Sequence, residues 1–207
     1  TIDANKPLAF TAGNVLGFNL TVGNRVEKEE IPAIEIPFTE NFDTENENFS
    51  IENVNLGGLT YVWKYDSSSK YMKASAYKNP TNYATESWLI SPFFNLTSAV
   101  KPVLIFDHAG NYFANVETMK DEIGVYAREK DGEWVELTIP TYPANAGWTF
   151  VNSDEVSLSA FVGKEAQIGF KYTSTATKAG TWEVDNLYVG EAPFSMSANT
   201  TSVEIEN

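Results

Sequence analysis

Trp182-Glu183-Val184-Asp185-Asn186-Leu187-Tyr188-Val189 reads as a β-strand, with apolar residues recurring at alternate positions in a β-branched and aromatic setting. Strand alternation puts Asp185 on the same face as Leu187 and Val189, so its carboxylate is expected to point towards a core. The same arithmetic applies to Phe38-Thr39-Glu40-Asn41-Phe42, where Glu40 shares a face with both phenylalanines. In Val103-Leu104-Ile105-Phe106-Asp107, Asp107 ends a run that is apolar on both faces. An ionised carboxylate withdrawn from water costs several kcal/mol unless it is protonated, paired with a cation or bound to a metal. No Lys or Arg lies within four residues of Glu40 or Asp185. A shared hard cation, calcium, is the expected partner, with a bulge that turns one acid to solvent as the alternative. Asp43, in the acidic turn after Phe42, is a further candidate ligand.

Outward from these stretches, short runs rich in Val, Ile, Thr, Phe, Tyr and Trp alternate with turn signals. Strands are expected over 8–11, 15–22, 36–42, 61–65, 71–74, 86–90, 103–108, 122–128, 134–139, 149–157, 165–173, 182–189 and 201–205. No segment holds a helical period for ten residues, so the predicted class is all-β, a sandwich of two antiparallel sheets. Asp131-Gly132 predicts a type I′ hairpin, and 156–163 a turn or short helix stopped by Gly163. The charged stretch before Ile31-Pro32 and the Gly190-Glu191-Ala192-Pro193 sequence mark seams. They divide the chain into a strand segment and linker (1–33), a compact unit (34–190) and a C-terminal strand segment (191–207). The flanking strands are expected to pair together, extend the sandwich or belong to neighbouring domains.

With 14 Lys plus Arg against 28 Asp plus Glu, the net charge of −14 argues against nucleic acid and anionic membrane surfaces as partners. Cysteine is absent, which excludes disulfides, thiolate metal sites and cysteine nucleophiles. No apolar run approaches the ~18 residues of a membrane span, so no membrane insertion is expected. The chain opens without methionine, which reads as a processed or trimmed protein. Sequons at Asn19, Asn48, Asn95 and Asn199 fit chance in a chain rich in Asn, Ser and Thr.

Catalytic readings fare poorly. The single histidine, His108, rules out sites that need two, and no Gly-x-Ser-x-Gly elbow exists to present a serine to it. Glu129-Lys130-Asp131-Gly132-Glu133-Trp134 approaches the Glu-x-Asp-x-x-Glu of jelly-roll glycosidases but has Trp134 at the second Glu position. Asp43-Thr44-Glu45-Asn46-Glu47-Asn48 opens like an EF-hand loop yet has Asn48 where glycine is needed and Val54 where the closing Glu belongs. Among the aromatics, Trp63, Trp88 and Trp182 are expected in the core, with Tyr61, Trp63 and Tyr65 on one face. Tyr77, Tyr83 and Trp148 lie beside turn residues and are the candidates for stacking on a ligand.

Taken in order, Phe38–Phe42, Glu86-Ser87-Trp88-Leu89-Ile90-Ser91-Pro92, Leu104–His108, Asp131–Trp134, Ile168-Gly169-Phe170-Lys171-Tyr172 and Gly180–Asn186 resemble the cleaved-adhesin and choice-of-anchor J domains of Bacteroidetes surface proteins. These are relatives of animal MAM domains. The resemblance covers 34–190. It implies a jelly roll in an extracellular or outer-surface setting of a Gram-negative bacterium, a lipoprotein being one form of anchoring. It also implies a calcium ion between the first and last strands, with Glu40 and Asp185 matching its usual ligands. The stretch 111–120 departs from the pattern like an insertion, which counts against loop-mediated binding. The expected function is non-catalytic binding or adhesion, stabilised by calcium, to a host or dietary glycan or protein. A carbohydrate-binding module of a polysaccharide-degrading system is the alternative, and a glycoside hydrolase the more distant one.

Overall fold

A computed structural model describes residues 31–45 and 48–193. The strands expected at 8–11, 15–22 and 201–205 lie outside those residues. In chain order the elements are β1 (Ile34–Glu35), β2 (Phe38–Glu40), β3 (Ser50–Asn55), β4 (Trp63–Asp66), β5 (Tyr71–Ser75), β6 (Tyr77–Lys78), β7 (Thr81–Asn82), β8 (Thr85–Asn95) and β9 (Pro102–Asn111). There follow α1 (Val116–Glu122), β10 (Ile123–Glu129), β11 (Val135–Leu137), β12 (Val151–Asn152), β13 (Val156–Ser157), a 3-10 turn (Ser159–Phe161), β14 (Glu165–Ser174) and β15 (Thr181–Glu191).

Two sheets carry the fold. One runs β1-β8-β14-β10-β11 with β3 also on β8, and the other β12-β9-β15-β5-β4 with β13 on β9 and β2 on β15. Pairing is antiparallel except where β1 lies parallel to β8. The expected two-sheet sandwich is thus present. Its core alternates inward from both sheets: Leu89, Val125, Ile168 and Phe170 face Leu104, Phe106, Trp182, Val184 and Trp63. Trp63 and Trp182 meet with centroids 5.4 Å apart, and Phe106 meets Phe170 edge-on at 5.2 Å. Each large side chain so enclosed contributes roughly 1.5–3 kcal/mol of transfer free energy.

Departures from the sequence reading have local causes. Trp88 is 8% exposed but stands on the outer face of its sheet, stacked on Trp134 at 5.2 Å and flanked by Tyr126, not in the inner core. Gly169 makes room for that stack, since a Cβ there would stand 3.0 Å from both indoles. The β10–β11 connection is not a two-residue type I′ turn. Ladder pairing ends at Ala127 opposite Val135, only Asp131 has positive φ, and Trp134 leaves the strand to lie on Trp88. Tyr61 precedes β4 and is exposed, so it does not join Trp63 and Tyr65 on their inner face. Finally, the insertion-like stretch holds α1, where Asn115 accepts the Thr118 N–H and caps a helix too short to show a sustained period. The polar edge strand β3, exposed along its whole length, was not foreseen either.

Candidate functional site

The last strand, β15, changes partner halfway. Along one edge Thr181–Val184 pair with β5, and Leu187–Val189 pair with β2. Asp185 and Asn186 fall in the notch between the two partners. On the other edge Asp185 lies opposite Asp107 of β9, and a bulge then inserts one residue before Tyr188 pairs with Ile105. Asn186 takes a left-handed φ of 48° to allow it.

That bulge overturns one expectation. The extra residue reverses the alternation, so Leu187 and Val189 are buried inwards with Val184, while Asp185 is on the outer face beside Asp107, half-buried. Glu40 does behave as the alternation predicts. It pairs directly with buried Leu187 and therefore shares the core face at the sheet's edge. Just beyond it, Phe42 is fully buried in a left-handed conformation (φ 47°), and its N–H donates to Glu40 Oε1 at 2.7 Å. The turn this creates swings Asp43 back towards the notch, where its carbonyl accepts the Tyr65 hydroxyl at 3.1 Å.

All four acids named from the sequence are brought into one electrostatic neighbourhood. Burial raises the pKa of Asp185, and the charges of Asp107, Asp43 and Glu40 push it further in the same direction, against the Asn186 N–H that favours the ionised form. Asp107 is held between two amides, accepting from Asn152 Nδ2 at 2.9 Å and Asn186 Nδ2 at 3.0 Å. No ion pair to Asp185 or Asp107 forms among the described residues. The donors are all oxygen, which suits a hard cation. Among the described residues no three Asp, Glu or His side chains form a closed metal-binding group, so the notch is a concentration of carboxylates and not a finished cage. Asn186 and Asn152 were missed from the sequence. The Asp185-Asn186 pair carried a signal, because both residue types tolerate left-handed backbone and mark bulges.

His108 has a purely structural role. It is fully buried, with Trp182 Nε1 donating to Nδ1 at 3.3 Å and Nε2 donating to the Thr141 carbonyl at 2.9 Å. Burial lowers its pKa to about 4, so it stays neutral and is committed at both nitrogens.

A second feature lies where loops converge. A cavity of about 530 Å³ is lined by Tyr77, Asn82, Tyr112, Thr177, Lys178 and Thr181. Tyr77 and Asn82 are cross-strand partners in the β6–β7 hairpin, and Asn82 Nδ2 donates to the Thr177 carbonyl at 3.1 Å, tying hairpin to loop. Of the three aromatics singled out as ligand contacts, Tyr77 lines the cavity, and Trp148 packs edge-on against its Tyr112 wall at 5.6 Å. Tyr83 lies outside the lining and is half-buried; its backbone bonds to Ala76 and to the Ser174 hydroxyl instead. Tyr112 belongs to the insertion-like stretch 111–120, which therefore contributes a wall of this cavity.

No family model and no curated protein matches the chain. Solved structures do resemble it. The K1 cleaved adhesin domain of Lys-gingipain from Porphyromonas gingivalis W83 is 13% identical with a TM-score of 0.50, over 75% of this chain and 98% of that one. The K2 cleaved adhesin domain of Lys-gingipain is 12% identical with a TM-score of 0.51, over 76% and 99%. At these identities the likeness shows a shared β-sandwich fold.

Proposed function

We propose that this chain is a non-catalytic binding or adhesion domain of an extracellular or outer-surface bacterial protein, of the cleaved-adhesin and choice-of-anchor J type, closed by a calcium ion in the β2–β9–β15 notch. The observation that supports the metal reading is that Asp107, Asp43 and Glu40, from the opening strand and from β9, all act electrostatically on the half-buried Asp185 where β15 exchanges β5 for β2. Like charges gathered in a half-buried notch repel one another, and a divalent cation turns that repulsion into a clamp across the opening and closing strands. The binding reading is supported by the fold shared with cleaved adhesin domains, and the single histidine, His108, is bonded through both ring nitrogens within the core. Glu129, in the stretch that approaches a glycosidase motif, is exposed and paired with Lys164 at 3.3 Å instead of facing a second acid.

The test is a melting curve of the full chain with free calcium and with excess chelator. An ion that binds only the folded state stabilises it by about 2.7 kcal/mol at 100 times its dissociation constant. For a domain of this size each kcal/mol moves the melting temperature by roughly 2–4 °C, so a shift of several degrees is expected. Identical curves after full exchange of the ion would overturn the metal reading.

A further inference from the structure

We infer that the cavity between the β6–β7 hairpin, the β9–α1 loop and the β14–β15 loop is the ligand site of this domain, and that it receives a pyranose ring at the end of a glycan. The inference rests on the reading of the chain as a binding domain and adds the place and the ligand class. Three observations carry it. First, the walls are aromatic and open: Tyr77 is 51% and Tyr112 58% exposed, an unusual state for large rings lining one concavity. Second, the walls are braced before any ligand arrives. Tyr112 is held in left-handed backbone at φ 66°, with its N–H bonded to Asn111 Oδ1 at 2.8 Å, and its ring is propped by Trp148, which lies 5.3 Å from the Lys73 ammonium. Tyr77 is fixed through its hydroxyl to Asn79 Oδ1 at 3.1 Å. A non-glycine residue kept in that region is strained, and such strain gathers at ligand clamps. Third, apart from Ala179 the remaining lining is amide, hydroxyl and a single ammonium, from Asn82, Thr177, Thr181 and Lys178, with no carboxylate, although the chain carries a net charge of −14.

This chemistry is that of a sugar site. The flat C–H face of a pyranose stacks on a tyrosine ring, while its hydroxyls exchange hydrogen bonds with the Asn82 amide and the threonine hydroxyls. The volume of about 530 Å³ lies within the ~300–1,000 Å³ range of small-ligand clefts. Lys178 stands ready for a carboxylate on the sugar, so uronic or sialic residues should bind more tightly than their neutral counterparts.

The experiment is calorimetric titration of the full chain with a fixed panel of xylotetraose, maltotetraose, tetragalacturonate and sialyllactose, paired with tryptophan emission to follow Trp148. Binding of at least one member is expected, together with an emission change that Trp148→Phe removes. Tyr112→Ala and Tyr77→Ala should each weaken that binding by roughly tenfold or more, with unchanged melting temperatures, and Tyr83→Ala should leave it intact. Lys178→Met should weaken the acidic sugars and spare the neutral ones. The proposal is overturned if no member binds, or if both tyrosine variants bind like the native chain. Calcium and chelator arms separate the two readings. A calcium shift in melting without any sugar binding removes the pocket and leaves the clamp, whereas tyrosine-dependent sugar binding without a calcium shift does the reverse.

Discussion

Glu183 and Asp185 sit two residues apart on the outer face of β15, yet they live under opposite electrostatics. Glu183 is 2% exposed and fully accommodated: Lys73 Nζ lies 3.1 Å away, and the Tyr71 hydroxyl donates to it at 2.9 Å. The loop carrying Phe150 and Trp148 folds over this pair, Phe150 against Tyr71 and Trp148 over Lys73. Asp185 is more exposed and lies opposite Asp107; burial raises its pKa, and the charges of Asp107, Asp43 and Glu40 add to the rise. The depth of an acid therefore says little about its role. What decides is whether the fold supplies a counter-charge, and here the deeper acid has one in the chain while the shallower acid is surrounded by its own sign.

The contrast can be broken first on its strong side. Lys73→Met should strand Glu183 as an unpaired buried charge and destabilise the domain by about 2–4 kcal/mol, short of a fully enclosed pair because Lys73 is partly solvated. Lys73→Met with Glu183→Leu should recover most of the loss in chemical denaturation. Equal destabilisation by the single and double variants would mean that packing, not charge, holds this spot.

A third acid sharpens the comparison, because it is accommodated by a proton. Glu122, at the end of α1, is buried with Oε2 lacking any hydrogen-bond partner, and burial, aided by Asp121 and opposed by Lys178, raises its pKa to about 7. The folded state thus keeps a proton that the unfolded chain loses above its ordinary carboxylate pKa. Stability from this group is complete at low pH, declines as pH rises towards about 7, and is flat beyond. Glu122→Gln should remove that decline and stabilise the domain at pH 8 by about 2 kcal/mol. An unchanged pH profile of melting temperature would show that the carboxyl finds a partner or solvent.

The smallest effect tests the notch itself, by its sign. In excess chelator, Asp185→Asn should stabilise the chain slightly, by under about 1 kcal/mol since water screens the half-exposed group. In saturating calcium the same variant should be less stable than the native chain, because it lacks a charged ligand for a hard cation. The same sign in both media would dissolve the distinction between Glu183 and Asp185.

Alternation and turn chemistry were enough to read the two-sheet sandwich, the long strands β8, β9, β14 and β15, and the inward Trp63 and Trp182. These follow from period-two burial, a property of each strand taken alone. The Asn186 bulge, the partner switch of β15, the lodging of Trp88 under Trp134 and the entry of Tyr112 into the cavity were settled only by tertiary structure. Each depends on what lies across a strand or beyond a loop. One inserted residue reverses every face after it, and although Asp185-Asn186 permits a bulge, its presence and place are decided only when β9 and β2 impose their registers.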